Sequence, residues 1–130
     1  MGLCVLEDFH LILESRKKIS LQYDEGLKTM GLEKPLFEKN DFNYNYSYYP
    51  VLFSSEQELL DARNRLIQNS IHPRRYFYPS LNTLPFINNG ETCGVSEDIS
   101  SRILCLPLYH DLSEIQVAEI LGLLKHPVTV

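Results

Sequence analysis

Residues 71–85 read Ile-His-Pro-Arg-Arg-Tyr-Phe-Tyr-Pro-Ser-Leu-Asn-Thr-Leu-Pro, and the assignment of the domain turns on them. Two adjacent arginines meet three consecutive aromatics between prolines. Alternation over 71–79 predicts a strand, with Tyr76 and Tyr78 on one face and Arg75 and Phe77 on the other. Arg74 and Arg75 offer planar forks that suit phosphate or carboxylate. The tyrosines offer ring faces and hydroxyls. The plainer reading is aromatic packing on a sheet with solvated arginines. The functional reading is a surface for a phosphorylated, ring-bearing ligand.

Outward from this run, the neighbouring segments predict an α+β layer arrangement. Ser55-Glu56-Gln57-Glu58 is a capping box that opens a helix to about residue 69, with Leu59, Ala62, Leu66 and Ile67 inward and Arg63 and Arg65 solvated. Upstream, Tyr44, Tyr46 and Tyr48 alternate with Asn45 and Ser47 in a strand pattern over 44–53, and Pro50 argues for an edge position or a bulge. This tyrosine run reads as packing or as a ligand surface. Downstream, residues 80–95 read as loop with room for one helical turn. Residues 102–106 read as a short buried strand. Ser113-Glu114-Ile115-Gln116 is a second capping box, and Val117, Ile120, Leu121 and Leu124 form the inner stripe of a last helix that stops at His126-Pro127. Residues 2–30 read as one long helix, with Val5, Phe9, Ile12, Ile19, Tyr23 and Leu27 at three- and four-residue spacing. Gly31 is its expected C-cap and residues 33–43 a connecting loop. The helix starts without a cap, which predicts a preceding segment. The result is a small antiparallel sheet of two to three strands, with helices packed on one face and a long N-terminal helix before it.

The bulk properties exclude several classes. The 130 residues suit one domain, and 44% hydrophobic with 22% charged residues is ordinary for a globular chain. The formal net charge of −5 disfavours broad nucleic-acid binding. No apolar run reaches membrane-spanning length and no signal peptide is evident. Cys4, Cys93 and Cys105 show no disulfide framework or zinc spacing and predict reduced thiols in a cytoplasm, with Cys4 and Cys105 in the core and Cys93 exposed. His10, His72, His110 and His126 show no ligand spacing. Cys93 with His110 and Asp111 is the one nucleophile–base set worth naming. Glu91, Glu97 and Asp98 read as loop acids whose partners the sequence does not show. Residue chemistry alone gives no complete active site.

Several segments, in order along the chain, resemble one family. Ser100-Ser101-Arg102-Ile103-Leu104-Cys105-Leu106-Pro107-Leu108-Tyr109 and Asp111-Leu112-Ser113-Glu114-Ile115-Gln116-Val117 resemble the C-terminal signature of the DegT/DnrJ/StrS-type sugar aminotransferases, fold type I enzymes that use pyridoxal phosphate (PLP). Glu14-Ser15-Arg16-Lys17-Lys18-Ile19 with Tyr23-Asp24-Glu25-Gly26-Leu27 resembles the helix that joins their two domains. Arg74-Arg75-Tyr76-Phe77-Tyr78-Pro79 with Leu81-Asn82 resembles the substrate-facing strand and loop. The resemblance implies a single C-terminal small domain, with a joining helix over 1–31 and an α/β sandwich over 44–125.

It also implies that Arg74 or Arg75, with Tyr76, Tyr78 and Asn82, faces the active-site cleft and contacts a nucleotide-linked sugar. The Arg-Tyr-Phe-Tyr-Pro form resembles the branch acting on 3-keto-6-deoxy sugars linked to dTDP. Phe77 stands where many family members place a histidine. The lysine that forms the internal aldimine would precede this chain. None of Lys17, Lys18, Lys28, Lys34, Lys39 and Lys125 matches it by position. The expectations are therefore no catalytic residue and no cofactor held by this chain alone, with PLP belonging to the full-length relative. Homodimeric packing and self-association through an exposed apolar face are expected too. The alternative is a free-standing module that binds a nucleotide-sugar or a protein.

Overall fold

A computed structural model describes residues 2–35, 44–87 and 90–125, without the side chains of Leu3, Cys4 and Val5. The readings of Cys4 and Val5, of most of the 33–43 loop and of the 126–127 stop lie outside the described residues. The element order is α1 (Gly2–Glu7), α2 (Phe9–Leu27), β1 (Tyr49–Leu52), α3 (Glu56–Gln68), a 3-10 turn (Leu81–Thr83), α4 (Gly94–Arg102), β2 (Ile103–Leu106) and α5 (Glu114–Leu124).

The helix expected over 2–30 is divided. Asp8, a poor helix former, adopts φ −92° and ψ 0° between α1 and α2, and its side chain makes no capping bond. Its carbonyl still accepts from the Ile12 N–H at 3.0 Å, so the second helix grows directly from it. Only the C-terminal half of α2 reaches the core, through Ile19, Tyr23 and Leu27, whereas Leu6, Phe9 and Leu11 are exposed. Gly31 takes the left-handed conformation at φ +66°, four residues past the helix end.

β1 and β2 pair antiparallel, with Tyr49 opposite Leu106 and Val51 opposite Leu104. Tyr49, Val51 and Phe53 alternate inward and join Leu104 and Leu106 from β2. Leu59, Ala62 and Leu66 of α3 and Val117, Ile120 and Leu124 of α5 complete that core. The expected 44–53 strand is shortened to four residues: Tyr46 sits at φ 49°, which no strand accommodates. Pro50 does lie on an edge. The Leu52 N–H points away from β2 to Glu33, and by the two-residue period the missing Pro50 donor would point the same way.

No strand forms over 71–79. Arg74 alone makes a bridge, to Cys105 on the free side of β2, and the chain then turns at Tyr76 and Phe77. That turn carries the chain away from β2, so the pairing stops after one residue. The sheet is thus two strands flanked by single bridges at Glu33 and Arg74.

Both helix starts follow the sequence. Ser113 and Gln116 form the full reciprocal box on α5. On α3, Ser55 accepts from the Glu58 N–H, but the Glu58 carboxylate reaches back to Ser54. Ser113→Ala is expected to cost about 1 kcal/mol, read as a lower urea midpoint with unchanged slope. Arg65, expected in solvent, is half-buried and donates from Nε to the Leu123 carbonyl at 2.9 Å.

Candidate functional site

Arg74 is fixed by its backbone. Its N–H donates to the Cys105 carbonyl at 3.1 Å, and its carbonyl accepts from the Cys105 N–H at 2.8 Å. That places Cα on the sheet edge and sends the side chain outward. Nη1 donates to the Tyr76 hydroxyl, and the guanidinium lies 5.7 Å from that ring's centroid. Tyr48 meets Tyr76 edge-on at 5.2 Å. No carboxylate among the described residues pairs with Arg74. These groups border a groove of about 590 Å³, which His72, Cys105 and Tyr109 also line. Burial pushes the Cys105 thiol above its ordinary pKa, with a hydrogen bond from the Tyr76 backbone as a smaller opposing influence. It is therefore a protonated wall rather than a nucleophile.

Arg75 is differently placed. Its Nη2 donates to Glu56 Oε1 at 2.9 Å and to the Ser101 carbonyl at 2.7 Å. Its guanidinium lies over the Tyr78 ring, 3.6 Å from the centroid. Its side chain is only 15% exposed. Asn82 is held by a third set of partners. Its Oδ1 accepts from Ser80 at 2.6 Å, and its Nδ2 donates to Glu97 Oε1 at 2.6 Å. Glu97 also accepts the Cys93 N–H at 2.8 Å. That backbone donor first, and Asn82 second, hold the Glu97 carboxyl below its usual pKa. These contacts fasten the 3-10 turn to α4. Beside it lies an apolar groove of about 680 Å³ bordered by Phe77, Leu81, Cys93, Val95 and Ile99.

The five expected residues thus occupy three settings: Arg74 with Tyr76, Arg75 with Tyr78, and Asn82 against Glu97. Sequence reasoning missed Glu56 and Glu97 as their partners and took Glu97 and Asp98 for unpartnered acids. Asp98 instead pairs with Arg102 at 2.7 Å. Tyr48 was signalled by the tyrosine run. No hydrogen bond joins Cys93 to His110 among the described residues: Cys93 lines the apolar groove, while the His110 carbonyl accepts from Ser15 beside α2. Among the described residues no group of three or more His, Cys, Asp or Glu side chains is placed to hold a metal ion. Nor is any helix long and apolar enough to cross a membrane.

A guanidinium, ring faces and hydroxyls on one edge are groups chemically suited to an anion attached to a ring. The chain belongs to the DegT/DnrJ/EryC1/StrS aminotransferase family, whose model matches residues 1–125. It is similar to the dTDP-4-amino-4,6-dideoxy-D-glucose transaminases of Shigella dysenteriae and Escherichia coli. The first is 32% identical over 117 residues, covering 86% of this chain and 32% of that protein. The second is 32% identical over 132 residues, covering 95% and 35%. The chain therefore spans about a third of the length of these curated relatives. The aminotransferase TlmJ from Streptoalloteichus hindustanus shares the fold with a TM-score of 0.86 at 23% identity, over 95% of this chain and 34% of its own.

The family uses PLP. No lysine lines either of these two grooves, whereas Lys125 borders a separate cavity of about 760 Å³ with Met30, Phe53 and Leu124. Lys18 is paired with Glu114 at 2.7 Å and Lys34 with Asp24 at 2.8 Å. Lys39 lies outside the described residues.

Proposed function

We propose that this chain works as the small domain of a PLP-dependent aminotransferase acting on a keto-deoxy sugar nucleotide. It supplies substrate contacts and dimer packing, and the aldimine lysine comes from outside its residues. The family match over 1–125, at about a third of the relatives' length, is the observation that carries this reading. Arg74, Arg75, Tyr76, Tyr78 and Asn82 form the substrate-facing segment. The names of both curated relatives put the amino group at carbon 4, so the keto group is proposed there rather than at carbon 3. dTDP is the proposed carrier and the cytoplasm the proposed compartment.

The test is reduction with borohydride in the presence of PLP, followed by mapping of modified lysines. Scattered trace labelling is expected. One stoichiometrically labelled lysine would overturn the reading, because the chain would then hold its own cofactor site.

A free-standing binding module is the second reading. It is favoured by Arg74, an exposed cation on a rigid edge without a carboxylate partner among the described residues. Charged hydrogen bonds contribute roughly 1.5–3 kcal/mol, so Arg74→Ala is expected to weaken dTDP-sugar binding by about 10- to 100-fold in a calorimetric titration. Binding unchanged in Arg74→Ala would remove Arg74 from the site.

A further inference from the structure

We infer that Arg75 and Glu56 are positioning residues for the Tyr76–Pro79 turn, and that direct contact with a ligand's phosphate falls to Arg74. The inference rests on the substrate-facing reading of this segment and divides the work of its two arginines.

The argument starts from what each guanidinium already does. Arg75 spends Nη2 on the Glu56 carboxylate and the Ser101 carbonyl. Its plane is covered on one side by the Tyr78 ring at 3.6 Å. An anion at Nη2 would have to displace Glu56, and Nε, though without a partner, is closed off from solvent in a side chain only 15% exposed. Glu56 is the first residue of α3 and Ser101 the next to last of α4. One planar group therefore ties two helices to the ring that follows it in the turn. Lysine could replace the charge but has no plane to lay against Tyr78. Arg74 differs: it is exposed, its backbone N–H and carbonyl are both bonded to Cys105, and among the described residues only Tyr76 takes a side-chain bond from it. It keeps donors for a ligand.

Glu56→Gln and Arg75→Lys separate positioning from contact. The probe is dTDP, titrated calorimetrically into the purified chain. Nitration of Tyr78 relative to Tyr76 by tetranitromethane, mapped by mass spectrometry, reports the turn without any ligand. A positioning role predicts severalfold weaker dTDP binding in both variants, with Tyr78 nitration raised severalfold over Tyr76. Glu56→Gln is the deciding variant. If Arg75 itself held the phosphate, removing its carboxylate partner would leave binding unchanged or tighten it, and that result overturns the inference. An unchanged nitration ratio in both variants overturns it as well. If dTDP does not bind the unsubstituted chain, the substrate-facing reading fails instead, and the nitration ratio alone decides whether Arg75 and Glu56 set the turn.

Discussion

Leu104→Ala is expected to remove about 3 kcal/mol of stability, seen as a fall of roughly 12 °C in the thermal midpoint. Leu104 is fully buried at the centre of β2, opposite Val51. It belongs to the one core that the sheet shares with α2, α3 and α5. Truncation loses the transfer free energy of the removed carbons and leaves a void. The void cannot close easily, because hydrogen-bonded strands limit how far the backbone can follow. Leu6→Ala is the matching control. Leu6 is 65% exposed on α1, and its loss should stay within about 0.5 kcal/mol. A loss below about 1 kcal/mol at Leu104 would mean that the strand does not sit in a close-packed core.

Gly26→Val is expected to cost about 2–3 kcal/mol, through overpacking where α2 meets α5. A Cβ at Gly26 would lie 2.4 Å from Leu121 Cδ1, 2.7 Å from Cδ2 and 3.0 Å from Cγ. Glycine inside a helix normally costs about 1 kcal/mol relative to alanine. Here that cost is offset by the closeness of the two helices. Alanine is a blunt probe, since better helix propensity partly cancels the clash. Valine adds two methyl groups beside a Cβ that already meets Leu121. Leu121→Ala introduced with Gly26→Val should restore at least about 1 kcal/mol, a coupling that a double-mutant cycle measures directly. Strict additivity would show that the cost arises elsewhere.

What could be read from the sequence was what local chemistry determines. Ser113 with Gln116 and Ser55 with Glu58 announced two helix starts, because a cap needs only residues three apart. Pro50 announced an edge because it lacks a donor. α4 gave no such signal. Gly94–Arg102 has no apolar stripe and buries only Ser100. Its fastenings include Glu97 to Asn82 and Arg102 to the Phe53 carbonyl, which lie 15 and 49 residues apart. The 71–79 run misled for a related reason: alternation of side chains is compatible with a strand but does not reveal that the chain turns away at Tyr76 and Phe77 after a single bridge.

The site was legible as a segment and not as an arrangement. Arg74 and Arg75 are chemically identical in a sequence. Which one is enclosed depends on Glu56 and Ser101, 19 and 26 residues away. The family, by contrast, was legible in the run from Ser100 to Val117, where the sequence preserves a pattern that no single interaction explains.

The single bridge at Arg74 has an evolutionary consequence. A segment woven into a sheet by a full ladder can change its course only by shifting register, which moves every side chain at once. Residues 75–82 are instead held through side chains: a guanidinium on a ring, an amide on a carboxylate, a hydroxyl on an amide. Each of those fastenings can be exchanged by one point substitution, while β1 and β2 keep their pairing. Under the proposed function, ligand preference can therefore drift along this segment in small independent steps, on a scaffold that does not have to be reinvented.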